Sequence, residues 1–318
     1  MRNKILHAFI ALLVVTGSVV PKSSHAQSVG GQIGNGELAF GIGPMFFLGD
    51  LGGSAGKGGR FVKDVDFPLT KLAKSLYLSV YPSEFFGLRI SLNHGVLEGD
   101  DAKAPDKGGA EVDRLKRNLS FRTSVIEGYI AAEIYPTVFF ESYDGLKGKL
   151  RPYGVIGVGV MKYNPKTQLN GKWVELQPLR LEGQGMDEYP DSKPYKLVQR
   201  EIPMGVGAKY YLSDKAFIGI ELLHRKLFTD YIDDVSNDYY IDPINFSKYL
   251  PAAQAAIATQ LYYRGTYGGQ NTQVNVQSLQ RGNPNQNDAF FSTVVRFGVR
   301  LGGTPDPAKR QLRCPVFY

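Results

Sequence analysis

Few of the 318 residues are equipped for chemistry. There are 4 histidines and 1 cysteine, and His7 and His25 fall within the first 26 residues. The remaining pair, His94 and His224, needs a nucleophile within reach and an orienting acid to run acyl transfer. Ser91 is the nearest serine to His94 in sequence. It lies three residues back on an extended stretch, where successive side chains alternate, so the two point to opposite faces. That spacing assigns both histidines to an interfacial, lipid-facing row and leaves no catalytic residue. Asp230, Asp233, Asp234 and Asp238 supply charge for Ca²⁺ but lack the glycine and bidentate glutamate of a calcium loop. They read as a solvated acidic rim, with no metal site. The string GGSAGKGG at Gly52–Gly59 fails as a phosphate loop. Leu51 stands where its first glycine belongs, and Gly58 follows Lys57 in place of serine or threonine. No cofactor site follows. Cys314 has no internal partner, so in an oxidising compartment it is a free thiol or half of an intermolecular bridge.

The elements that must position these residues show one repeated pattern. From Ala216 the chain alternates: Ile218, Ile220 and Leu222 point one way, Gly219, Glu221 and Arg225 the other. A period of two is a strand whose faces meet different media. The pattern recurs over Glu37–Leu48, Ser75–Tyr81, Leu88–Gly95, Leu119–Tyr135, Pro152–Tyr163, Ile202–Leu212 and Phe290–Leu301. Each has an apolar row opposite glycine, small polar, tyrosine or charged residues. In Leu119–Tyr135 the phase of the pattern slips, which predicts a bulge in its first half. The last strand places Phe291, Val295, Phe297 and Val299 toward lipid.

A closed sheet, greasy outside and polar inside, is an all-β transmembrane antiparallel up-and-down barrel, here with eight strands. Hidden strands in the loops leave ten or twelve open. Long loops (49–71, 98–117, 164–196, 230–287) alternate with shorter turns (82–84, 136–149, 213–215). Such barrels place long loops outside and short turns in the periplasm. Pro251–Tyr263 reads as a short helix, and 265–284 as a hairpin within the longest loop.

The first 26 residues read as a cleaved secretory signal, with Arg2 and Lys4, an apolar Ile10–Val15 and a Ser24-His25-Ala26 site. Residues 27–302 are then the barrel and 303–318 a periplasmic tail. No later stretch is apolar for 18 residues, as a membrane helix requires. The net charge of +7 falls by three with Arg2, Lys4 and Lys22. No basic helix or tract points to nucleic acid. The 37 glycines suit a narrow barrel, and the 19 tyrosines and 18 phenylalanines suit an interfacial girdle.

The inward set is Arg89, Glu127, Glu133, Lys209, Glu221, Arg225, Arg296 and Arg300. An eight-stranded lumen is just wide enough for side chains to fill. The expectation is a salt-bridged plug; the other reading is a small solvated channel.

Several segments together resemble a family. They are GELAFGIGPMFFLGDLGG (Gly36–Gly53), RNLSFRTSVIEGYIAAE (Arg117–Glu133), RPYGVIGVGVMKYNPK (Arg151–Lys166), NGKWVELQPLRLEGQG (Asn170–Gly185), FTDYIDDVS (Phe228–Ser236) and LRCPVFY (Leu312–Tyr318). They look like the PorG-like outer-membrane barrels of the Bacteroidetes type IX secretion system. The resemblance implies a non-enzymatic part of the secretion and gliding machinery. Such a protein would tie a periplasmic ring, made of a PorK-like lipoprotein and its PorN-like partner, to the outer membrane. Carried onto this chain, the ring-facing surface is Glu84, the 136–149 turn and the tail around Cys314. The alternative function is a small porin or ligand-binding channel.

Overall fold

Alternation builds strands here, and the strands close into a barrel. A computed structural model describes residues 36–52, 69–83, 85–104, 111–137, 149–213, 215–265, 276 and 279–301. The signal segment, most of GGSAGKGG, Glu84, most of the 136–149 turn, much of the 265–284 stretch and the tail with Cys314 lie outside the described residues.

The strands are β1 (Gly36–Leu48), β2 (Lys71–Val80), β3 (Phe86–Asp100), β4 (Ser120–Ile134), β5 (Leu150–Lys162), β6 (Pro165–Leu169), β7 (Lys172–Glu175), β8 (Val198–Tyr211), β9 (Ala216–Leu227) and β10 (Ala289–Leu301). Around the barrel the order is β1, β2, β3, β4, β5, β8, β9, β10 and back to β1, all antiparallel. That is eight strands, with no free edge in the ring. The β1–β10 ladder is interrupted beside Pro44, and the β5–β8 ladder beside Pro203, because proline has no N–H to donate. β6 and β7 form a hairpin that joins β4 where Lys166 and Pro165 face Arg122 and Thr123. This hairpin, with Trp173, falls where the sequence suggests only loop.

The outer rows are apolar: Leu88, Ile90 and Leu92 on β3, Ile156, Val158 and Val160 on β5, Val206 on β8, Phe297 and Val299 on β10 are all exposed. A closed barrel with such a belt has its outside in lipid, and this is the outer-membrane architecture. Among the described residues no helix is long and apolar enough to cross a membrane.

The expected bulge in β4 is absent. β3 and β4 pair without interruption from Phe86 opposite Ile134 to Asp100 opposite Ser120. What changes is the solvent. Crossing takes roughly 9–11 residues, and these strands have 15 each. Within the membrane β4 turns Glu133, Tyr129 and Glu127 inward and Ile134, Ile130 and Ile126 outward. Above it, Val125 and Phe121 point inward while Ser124 and Arg122 face out. The phase of the hydropathy flips while the register holds. Residues 98–100, expected in a loop, are still strand for the same reason.

All four long loops emerge at one end, and their described parts fold over it. They include α1 (Glu111–Arg117), α2 (Ile244–Tyr249) and α3 (Ala252–Leu261). α3 confirms the expected helix and buries Ala255, Ala258 and Leu261 along one side. These side chains join Leu97 and Phe121 from the barrel rim, Leu181 from the β7–β8 loop and Ile232 and Phe246 from the β9–β10 loop in one apolar core.

The aromatic residues are placed differently from a simple girdle. Tyr77, Tyr129, Tyr135, Tyr153 and Tyr211 are buried inside. Phe291 sits on the outward row but is covered, its ring stacked on Phe46 at 4.7 Å.

Candidate functional site

The lumen brings the expected charges together in two tiers. In the tier nearer the turns, β4 supplies Glu133, β3 Arg89, β9 Glu221, β8 Lys209 and β10 Arg296, and all are fully buried. Arg89 donates through Nε to Glu133 Oε1 at 2.6 Å, and its Nη2 lies 2.7 Å from Glu221 Oε2. Lys209 Nζ donates to Glu133 at 3.0 Å and to Glu37 at 2.8 Å. Arg296 donates to Glu221 at 3.0 Å and to the Tyr153 hydroxyl at 2.7 Å. Arg300, half-buried at the turn end, reaches Glu37 at 3.6 Å.

Tyrosines complete the carboxylates' partners. Tyr81 and Tyr211 donate to Glu37 at 2.7 and 2.8 Å, Tyr153 to Glu221 at 2.5 Å, and Tyr135 to Glu133. Their rings also face the cations: Arg296 lies 4.1 Å from the Tyr77 centroid and Lys209 4.9 Å from that of Tyr81. Buried charge persists only when paired and hydrogen-bonded, and each charged side chain here has at least one such partner, while Arg89 Nη1, Arg296 Nε and Glu221 Oε1 find none among the described residues.

The second tier lies toward the loops. Arg225 on β9 donates to Glu127 on β4 at 2.5 and 3.3 Å and to Ser292 at 2.5 Å. Glu201 is buried in the lumen with neither oxygen accepting a hydrogen bond from the described residues.

Every residue of the expected inward set is therefore inside. Two further acids join them that the sequence reading omits. Glu37 is legible in retrospect, since it shares its row with Gly41 and Gly43 at the very edge of its strand. Glu201 escapes because β8 begins four residues before Ile202, at Val198. With them the lumen holds five basic and five acidic side chains among the described residues.

Above the lumen, the cap is tied by two buried arginines. Arg117 donates to both oxygens of Asp101 at 2.7 and 2.9 Å, to the Asp50 carbonyl at 2.6 Å and to the Arg281 carbonyl. Arg281 donates to Glu182 at 2.9 Å, and Glu182 accepts from the Ser236 and Asn237 amides at 2.9 and 3.1 Å. These bonds connect all four long loops.

The acidic run is not a solvated rim. Asp230, Asp233 and Asp234 are buried, and only Asp238 of the four is exposed. Asp233 accepts from the Leu51 and Val235 amides at 3.1 and 3.0 Å. Asp288 accepts from Ile232 at 2.8 Å. The loop folds back on the barrel mouth, so its acids cap backbone N–H groups inside the cap. Burial, reinforced by repulsion from neighbouring acids (Glu182 and Asp101 at Asp50, Asp50 and Glu182 at Asp230, Asp50 and Asp230 at Asp233, Asp233 and Asp230 at Asp288), pushes these carboxyls up: Asp50 to about 6, Asp230 to about 8, Asp233 and Asp288 well above the usual range. Burial also takes Asp234 to about 7. Among the described residues no three His, Cys, Asp or Glu side chains converge to hold a metal ion.

Ser91 is buried in the lumen and His94 is exposed on the outer face, as their spacing requires. A different contact has no signature in the local sequence: His94 Nε2 lies 3.1 Å from Ser124 Oγ on the neighbouring strand. Glu98, two steps along the same row, is taken by Lys71 at 3.0 Å and Arg122 at 3.1 Å. The pair has a base and a hydroxyl but no carboxylate in hydrogen-bond contact with the imidazole among the contacts observed.

No protein-family profile matches the chain, and no curated protein matches it. Solved structures similar to it include several outer-membrane proteins. Ail of Yersinia pestis is 8% identical over 85% of this chain and 100% of its own, with a TM-score of 0.38. OprG of Pseudomonas aeruginosa is 10% identical over 85% and 97%, with a TM-score of 0.34. A major outer membrane protein of Thermus thermophilus is 11% identical over 84% and 99%, with a TM-score of 0.36.

Proposed function

We propose that this barrel is a non-enzymatic outer-membrane component of the type IX secretion and gliding machinery, anchoring a periplasmic lipoprotein ring and its partner to the membrane. The observation that carries a structural role is the filled lumen. Arg89, Glu133, Lys209 and Arg296 are fully buried against one another beneath a folded cap. A barrel occupied in this way offers its surroundings an outer belt, a cap and a periplasmic face, and no conduit. The resemblance of segments from Gly36 to Tyr318 to PorG-like barrels supplies the partner. The periplasmic contact would use Glu84, the 136–149 turn and the tail, with Cys314 as a bridge to a ring subunit.

The test is a pull-down of the tagged full chain from outer membranes in mild detergent, with and without reductant. Recovery of a ring lipoprotein and its partner supports the reading. A reducible band that disappears in Cys314→Ser places the contact on the tail. Recovery of the barrel alone overturns the secretion role.

A further inference from the structure

On the lipid-facing side of the barrel, unpaired charge collects at one end. The outward rows of β5, β8 and β9 are apolar from the turn end upward: Ile156, Val158 and Val160; Val206, Met204 and Ile202; Ile220 and Leu222. At the loop end each row becomes cationic, with Lys162 on β5, Arg200 on β8 and Lys226 on β9. All three side chains are exposed, and none pairs with a described residue.

Register makes them neighbours. Lys162 lies opposite Val198, which places Arg200 on the diagonal. Lys226 lies opposite Ile202, which places Arg200 on the diagonal again. Diagonal partners are about 7–8 Å apart across a sheet, within reach of one another's long side chains. The outward rows of these three strands hold no Asp or Glu, since Glu201 and Glu221 both face the lumen. On the neighbouring strands β2, β3 and β4, by contrast, Glu98 neutralises Lys71 and Arg122. Val160, Val198 and Phe228, each more than half exposed, flank the three cations.

Three like charges kept together at the edge of an apolar belt call for an anion that is itself amphiphilic. A soluble anion would meet the cations but leave Val160 and Phe228 against water. An acyl lipid covers those side chains with its chains and brings its phosphates to the level where long basic side chains extend. We propose that the outward face of β5, β8 and β9 holds a phosphorylated, multiply acylated lipid of the leaflet on the loop side, its phosphates bridging Lys162, Arg200 and Lys226.

The experiment is native mass spectrometry of the full chain in detergent micelles, titrated with bis-phosphorylated lipid A, with the same lipid dephosphorylated, and with lipid A in the presence of inorganic phosphate. Wild type is expected to retain one bound lipid A. Lys162→Gln/Arg200→Gln/Lys226→Gln is expected to weaken binding about a hundredfold, at about fivefold per charge. Lys149→Gln/Lys215→Gln, at the turn end, leaves it unchanged. Should the triple variant not fold, Arg200→Gln alone is expected to weaken binding about fivefold or more. Equal binding by wild type and variant, equal binding of the dephosphorylated lipid, or displacement by equimolar inorganic phosphate each overturns the proposal. None of these outcomes depends on recovery of a secretion ring.

Discussion

Arg117 closes on Asp101 through two donors, 2.7 and 2.9 Å from its two oxygens, and Asp101 is fully buried. The same carboxylate accepts from the Leu119 and Gly52 amides at 3.0 and 3.2 Å. One ion pair therefore holds the start of the β3–β4 loop, the end of that loop and the β1–β2 loop together.

Replacing Arg117 with Met keeps much of the side chain's volume and leaves Asp101 buried without its cation. Breaking a buried pair in this way costs about 3–5 kcal/mol. The loss falls on the cap, because the membrane strands do not depend on it. Limited proteolysis of intact cells is expected to cut the variant within the long loops while the barrel retains its heat-modifiable gel mobility. An uncut variant would show that the pair does not hold the cap.

Glu133 is the acceptor shared by Arg89 and Lys209, with Arg296 3.8 Å away. Glu133→Ala removes the acceptor shared by these cations and leaves them only Glu221 and Glu37. The expected result is a barrel less stable to urea by about 3–5 kcal/mol. In planar bilayers wild type is expected to give little conductance, since the lumen is occupied by side chains. Steady open steps of porin size from wild type would contradict the sealed lumen and favour the channel reading.

The barrel is legible in the sequence because every strand repeats a period of two with an apolar row opposite a row of glycine, small polar, tyrosine or charged residues. Parity alone assigns Arg89, Glu127, Glu133, Lys209, Glu221, Arg225, Arg296 and Arg300 inward, and all are there. Parity misleads where the medium changes along one strand. Val125 and Ile126 are adjacent and both apolar, which resembles a bulge, yet one packs under the cap and the other faces lipid. The burial of Asp233 has no local signal. It depends on Leu51, 182 residues away, offering its amide, and a charged run in a long loop does not reveal what folds over it.

His94 and Ser124, 3.1 Å apart, tempt an assignment as a hydrolase pair. A triad needs a carboxylate to fix the imidazole tautomer and donors for the oxyanion, and Glu98 is already engaged by Lys71 and Arg122. Reconstituted wild type is expected to release no fatty acid from phospholipid or lipid A vesicles above the rate of His94→Ala or His224→Ala. Release that depends on His94 would make the chain an enzyme.

The cap's carboxyls predict how it responds to pH. Asp50, Asp234 and Asp230 carry folded-state values of about 6, 7 and 8, each raised first by burial, against 3.8 when free. Arg117 opposes the rise at Asp50 and Asp233, and Arg281 at Asp234, without cancelling it. Glu182 adds repulsion at Asp50, Asp230 and Asp234. Between about pH 4 and 8 the folded cap binds more protons than the unfolded one, so its stability falls as pH rises through that window. It is fullest near pH 4 and lowest above pH 8. The denaturant midpoint of the cap, followed by tyrosine fluorescence, is therefore expected to be higher at pH 5 than at pH 9. Asp288→Asn keeps an acceptor for the Ile232 amide and removes one ionisable group from the cluster. It is expected to raise the midpoint at pH 8 by the equivalent of about 1 kcal/mol, which corresponds to roughly a fivefold easing of ionisation in the cluster. The pH dependence should flatten with it. A midpoint that rises with pH would mean that these acids are ionised and held by partners, contrary to their burial.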